Sequence, residues 1–188
     1  MLDTHTIPRI GPNALIQTEQ ALLERLGSAT TAVIFAEAGL QRGNPGAMVP
    51  QTEVRVLFDA LMTERPRDWP EIAEDAGART ADYILANRIP GMIQGLLKAL
   101  PAALAGPILA RAIARHAWTF AGSGTFSATR QPELTLTIAH NPIAIPGCPW
   151  HCAVFTRLFQ TLATPRCTVR HTACCAKGDP NCIFQIKY

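Results

Sequence analysis

All six cysteines of this 188-residue chain (Cys148, Cys152, Cys167, Cys174, Cys175 and Cys182) fall within its last 41 residues. Thiols crowded into one short segment pair with each other, hold a metal or fill a core. The opening run MLDTHTIPRIGPN has neither the basic start nor the apolar stretch of a secretory signal. The most apolar region, residues 89–118, is cut by Lys98, Arg111 and Arg115 and by three prolines. Its longest charge-free piece, residues 99–110, is well short of the roughly 20 residues that cross a bilayer. The expectation is therefore a cytosolic protein, in which the cysteines are free thiols or metal ligands rather than disulfides.

Zinc takes about four nitrogen or sulfur ligands in a tetrahedron, commonly from a hairpin and a neighbouring helix start. Cys174 and Cys182 bracket a turn signal, Gly178-Asp179-Pro180-Asn181, and Cys148 opens a predicted helix where backbone N–H groups favour a thiolate. The spacing Cys148-x25-Cys174-x7-Cys182 is not the paired C-x2-C of zinc ribbons. Four residues compete for the fourth position: His171, Cys175, Cys152 and His151. His171 lies three residues before Cys174, so a regular strand would point the two to opposite faces, and only a bulge would bring them together. Cys167 reads as a small core hydrophobe.

Hydrophobic spacing divides the chain into a helical part, 1–117, and a sheet-forming part, 118–188, read together as a single domain. Asn13 is placed to cap a helix to about Leu26, with Gly27 as its stop, and a second helix is expected over 30–40. Further helices are expected over 52–64 and from Asp68 to about Asn87, with two or three short ones over 90–117. The period then changes. Trp118–Thr129 and Glu133–His140 read as strands around Gln131-Pro132, a helix runs from Pro149 to about Leu162, and a last hairpin pairs 167–174 with 182–188. The predicted class is α/β in the α+β sense: a small, mainly antiparallel sheet packed against several helices, with a cysteine-rich C-terminal hairpin. Hydrophobic residues at 48% and charged residues at 16% exclude disorder. Charge is uneven, net −3 over residues 1–99 and net +6 over 100–188, which suits an anionic ligand or an acidic partner.

The run CPWHCAVFTRLFQTLATPRCTVRHTACCAKGDPNCIFQIKY resembles the 4-vinyl-reductase domain family. That family has a Cys before a helix, an acidic residue three before a second Cys, then a Gly and a third Cys leading into an apolar strand. The matching positions here are Cys148, His171, Cys174, Gly178 and Cys182, and His171 departs from the acidic residue. RIGPNALIQ and HAWTFAGSGTF extend the likeness to the branch of the family tied to bacteriochlorophyll biosynthesis, so it covers essentially the whole chain. The resemblance implies a fold with an apolar interior for a small ligand, structural zinc on Cys148, Cys174 and Cys182, and homodimerisation; His171 is the candidate set beside the three cysteines, and its departure from the family pattern leaves the fourth position open. The expected location is cytoplasmic, with a peripheral place at the photosynthetic membrane also open.

The family name implies reduction of a vinyl group, but the residues offer that chemistry little. Gly122-Ser123-Gly124 has Ser127 where a dinucleotide fingerprint wants its third glycine, and it falls inside a predicted strand. The favoured expectation is a protein that binds and delivers a magnesium tetrapyrrole. The apolar helices of 90–117 would line its cavity, and Arg88, Arg111, Arg115, His116 and Trp118 are the candidate ligand-binding residues. Arginines would meet the carboxylates, and His116 would sit over the magnesium, where water also serves. Direct vinyl reduction, and a sensing or scaffold module for magnesium chelatase or another pathway enzyme, are the alternatives.

Overall fold

Seven helices and a four-stranded antiparallel sheet make up the computed structural model, which describes residues 7–130 and 132–188. A two-residue strand, β1 (Arg9–Ile10), pairs with β2 (Val49–Pro50) and brackets the first long helix, α1 (Asn13–Glu37). Gly27, at φ 78°, kinks α1 where the sequence placed a stop, and the helix resumes with Thr31 donating to the Gly27 carbonyl. Asn13 is the first helical residue rather than the cap, a position that Pro12 holds. Next come α2 (Gln51–Glu64) and α3 (Trp69–Asn87). Asp68 stands before α3 as expected, but its carboxylate accepts from Arg65 instead of from the helix end.

Pro90 and Pro101 lead into α4 (Gly91–Ala99) and α5 (Ala102–Arg115), since proline suits the entry to a helix, whereas Pro107 is carried inside α5 without ending it. The strand expected from Trp118 begins only at Thr125. Trp118–Ala121 form a single helical turn, α6, and Gly122 at φ 55° breaks it. The dipeptide Trp-Thr followed by Phe has strand propensity, and local hydrogen bonds override it: the Ala121 and Thr119 N–H groups donate to the Ala117 and His116 carbonyls.

The sheet contains β3 (Thr125–Thr129), β4 (Leu134–Ala139), β5 (Thr168–Ala173) and β6 (Asn181–Lys187), in the order β3-β4-β6-β5. Gln131, in the turn expected between β3 and β4, lies outside the described residues. The helix α7 (Pro149–Leu162) crosses over before β5. The alternation predicted for β4 is observed, with Leu134, Leu136 and Ile138 buried, and Cys182, Phe184 and Ile186 of β6 are buried beside them. α1 packs on α3, α3 on α7, and α7 on the sheet. α3 and α7 approach tightly at Gly77, where a Cβ would stand 2.2 Å from the Trp150 carbonyl oxygen. Across the other side of α7, Phe155 meets Phe184 edge-on at 5.1 Å.

Candidate functional site

Three elements deliver the cysteines to one point beneath α7. Gly147 and Cys148 both adopt left-handed backbone, at φ 77° and 47°. For glycine this is free. For cysteine it is a conformation that costs about 1–3 kcal/mol and persists where surroundings enforce it. It turns the chain abruptly into α7 with the Cys148 thiol fully buried. Cys174 follows β5, and Cys182 is the second residue of β6. A 3₁₀ turn over Cys175–Lys177 and the left-handed Gly178 close the hairpin between them. Asp179 secures this turn by accepting the Cys174 N–H at 2.8 Å, a role the sequence showed only as part of a turn signal.

His171 joins them through a bulge. It stands opposite Phe184 of β6, while Ala173 stands opposite Ile183, so two steps along β5 match one step along β6 and Thr172 is the extra residue. One ligand atom from each of Cys148, His171, Cys174 and Cys182 lies within 4.8 Å of all the others. Cys148 Sγ is 3.8 Å from Cys174 Sγ and 3.5 Å from Cys182 Sγ. Zinc–sulfur bonds of about 2.3 Å at tetrahedral angles set sulfurs about 3.8 Å apart, so the thiols stand at the spacing that ion needs. The His171 ring stacks on Phe184 at 4.8 Å, and its Nε2 is buried without a hydrogen-bond partner.

The electrostatics favour a cation. The Cys148 thiol, hydrogen-bonded to Cys182, holds Cys182 well below the ordinary thiol range, assisted by His171, the Cys175 N–H at 3.3 Å and Asn141 Nδ2 at 3.5 Å. The same contact, with burial, pushes Cys148 far up. A proton is therefore retained between two thiols that a divalent ion would displace.

The other fourth-ligand candidates stand apart. His151 is buried in an aromatic cage with Trp150, Phe155 and Phe184, its Nε2 3.4 Å from the Phe120 carbonyl, and burial holds it at about 4 against an ordinary 6.5. Cys152 faces the Gly147 carbonyl, and burial pushes its thiol up to about 12. Cys175 contributes its backbone to Cys182. Cys167 is fully buried in the core, as its sequence context suggested.

The candidate ligand-binding residues form no such cluster. Arg88 ends α3 with its guanidinium 6.0 Å above the Tyr83 ring. Arg111 and Arg115 share one exposed stripe of α5 with Leu104 and Ile108, His116 follows the helix, and Trp118 is 54% exposed. The inner face of α5 (Ala105, Leu109, Ala110, Ile113) is buried in the core instead of lining a cavity. Neither of the two principal clefts touches any of the five candidates. The larger, about 380 Å³, lies where α5 meets the ends of β4 and β6, between Pro107, Arg130, Lys187 and Tyr188. Gly122-Ser123-Gly124 connects a helix to a strand, the reverse of the dinucleotide arrangement. Gln51 occupies both the Ser123 N–H and its hydroxyl.

A scan against protein-family models finds no match. Among curated proteins, the chain is 45% identical over 185 residues to the bacteriochlorophyll synthase 23 kDa chain of Cereibacter sphaeroides, covering 95% of this chain and 90% of that one. It is 39% identical over 183 residues to the protein of the same name from Rhodobacter capsulatus, covering 94% and 86%. Among solved structures, it superposes on an H-NOX protein from S. oneidensis in its Fe(II)NO state with a TM-score of 0.65 at 7% identity, over 95% of this chain and 98% of that one. An unliganded Fe(II) H-NOX protein mutant from K. algicida gives a TM-score of 0.62 at 11% identity, over 95% and 96%. At these identities the likeness is one of fold.

Proposed function

The chain belongs to the family of the bacteriochlorophyll synthase 23 kDa chain, and from that premise we propose that it binds a magnesium tetrapyrrole of bacteriochlorophyll biosynthesis and delivers it to a pathway enzyme. The observation that carries this reading is the outward stripe of α5, apolar at Leu104 and Ile108 and basic at Arg111 and Arg115, which ends beside the exposed Trp118. A tetrapyrrole is a flat apolar disc with carboxylates on one edge, and such a stripe offers contact for the disc and charge for the edge. Trp118 would stack on the macrocycle, Arg111, Arg115 and Arg88 would meet the carboxylates, and His116 or a water would sit over the magnesium. The H-NOX fold adds support, because one solved neighbour that superposes over 95% of this chain is named for its heme redox potential. Magnesium chelatase, or another enzyme handling the same pigment, is the partner this role implies.

The cysteine site has a different task. Cys148, Cys174, Cys182 and His171 would hold a zinc ion that fixes the C-terminal hairpin to the start of α7. With four protein ligands such an ion has no open coordination position and is structural. On this reading the cysteines take no part in reduction. The test of the ligand reading is an absorption titration with a magnesium tetrapyrrole. Wild type should show a saturable Soret shift, and the double variant Arg111→Glu, Arg115→Glu should bind at least tenfold more weakly while melting as wild type does. Equal binding by both would overturn the assignment of this face.

A further inference from the structure

We propose that the α4–α5 hairpin is a membrane-docking surface that seats on bilayers rich in anionic lipid. The hairpin carries half of the ten large apolar side chains exposed among the described residues: Met92, Ile93 and Leu96 on α4, Leu104 and Ile108 on α5. Met92 is 81% exposed, the exposure of a protruding side chain and not of one lining a groove. Each helix touches α7 and its neighbour in the hairpin, and each buries its opposite side, at Leu97 and at Ala105, Leu109 and Ile113. Their remaining faces are exposed, with Met92 and Leu96 at i, i+4 on one and Leu104 and Ile108 at i, i+4 on the other.

Charge selects the occupant. No Asp or Glu occurs anywhere between Asp82 and Glu133, while Arg88, Lys98, Arg111 and Arg115 all do. None of these four cations has a carboxylate partner among the described residues, whereas Arg25, Arg42, Arg55, Arg65 and Arg79 are each paired. An apolar ridge rimmed by unpaired cations is the composition of a helix that lies in the interfacial plane of a bilayer, burying its ridge among the acyl chains and its rim among phosphates. A second copy of the chain fits poorly, because a two-fold contact through this face would set the four cations of one copy against those of the other. No helix among the described residues is long and apolar enough to cross a membrane, so the contact is one of lying on the surface. Leu104, Ile108, Arg111 and Arg115 are also the stripe assigned to the pigment, so bilayer and pigment would meet on one face, but the membrane proposal stands on α4 as well and does not depend on tetrapyrrole binding.

Flotation with pigment-free vesicles tests it. The full chain should float with vesicles of equal phosphatidylcholine and phosphatidylglycerol and stay behind with phosphatidylcholine alone. Met92→Asp with Leu96→Asp should abolish flotation. Lys98→Gln, Arg111→Gln and Arg115→Gln together should weaken it about a hundredfold, at about 1 kcal/mol for each charge near the surface. All of these side chains are exposed, so the variants should keep the wild-type melt and metal content. The two-aspartate variant, which leaves Arg111, Arg115 and Trp118 in place, should also keep the pigment titration. The proposal is overturned if wild type fails to float with the anionic vesicles or if the two-aspartate variant floats as well as wild type. A wild-type dimer that the same two aspartates dissociate would equally overturn it, since the face would then belong to a second copy.

Discussion

The Sγ atoms of Cys148 and Cys174 lie 3.8 Å apart although they come from opposite sides of the 14-residue helix α7 in the chain. That separation is the edge of a zinc–thiolate tetrahedron, and it is reached by placing a cysteine in a left-handed conformation that the residue disfavours. One zinc per chain is therefore expected in protein purified without chelator. Cys174→Ser or Cys182→Ser should lose the ion and much of the stability, because structural zinc carries on the order of 10 kcal/mol of apparent binding free energy. Metal analysis read beside a thermal melt checks this, and metal-free wild type with an unchanged melt would refute it.

The bulge at Thr172 makes a sharper prediction. Deleting Thr172 removes the extra residue and leaves His171 and Cys174 two positions apart, on the same face of a regular β5. Metal should therefore be retained by the deletion variant, with all four ligand residues still facing one another. His171→Asp, which supplies an oxygen ligand at the same place, should retain metal, and His171→Phe should lower the affinity by an order of magnitude or more. Full metal affinity in His171→Phe would show that His171 is not a ligand.

Gly77 reports on packing alone. A methyl group there meets the Trp150 carbonyl at 2.2 Å and the Ala153 Cβ at 2.9 Å, both on the facing helix. Neither backbone nor a short side chain can give way cheaply, so Gly77→Ala should destabilise by about 1–3 kcal/mol or more. Urea denaturation of the metal-loaded protein measures this. A neutral result would mean that α3 and α7 are further apart than described.

His151 should make folding acid-sensitive. Desolvation in its aromatic cage depresses it to about 4, whereas the unfolded chain takes up the proton near 6.5. Its contribution to stability is complete above about pH 6.5 and drains away as the pH falls towards 4, worth roughly 3 kcal/mol over that window. His151→Phe should flatten the pH dependence between these limits relative to wild type. Because acid also releases metal from thiolates and imidazole, the quantity to compare is the difference between wild type and variant, with metal content followed in parallel.

Much of the candidate metal site was legible in the sequence, because Cys174 and Cys182 flank a Gly-Asp-Pro-Asn turn and Cys148 precedes a Pro-initiated helix. The fourth ligand was left open among four residues, since a bulge adds one residue to a strand without marking the composition, and His171 reaches the thiols only through Thr172. The sheet was readable from the alternation in β4, whereas Trp118–Gly124 was misread because its residues favour a strand and the left-handed Gly122 ends a helical turn instead. Which side of α5 faces the core was hidden for another reason. Leu104 and Ile108 point outward and Leu109 and Ile113 inward, so the helix is apolar on both sides and its periodicity indicates no direction.

The central claim is that the protein binds a magnesium tetrapyrrole and leaves it chemically unchanged. An anaerobic absorption titration with a divinyl magnesium tetrapyrrole, run with and without reduced nicotinamide nucleotide, addresses it most directly. The account predicts a saturable Soret shift at one pigment per chain that ignores the nucleotide, with the divinyl pigment recovered intact. Nucleotide-dependent conversion to the monovinyl pigment, or the absence of any saturable shift, would contradict it.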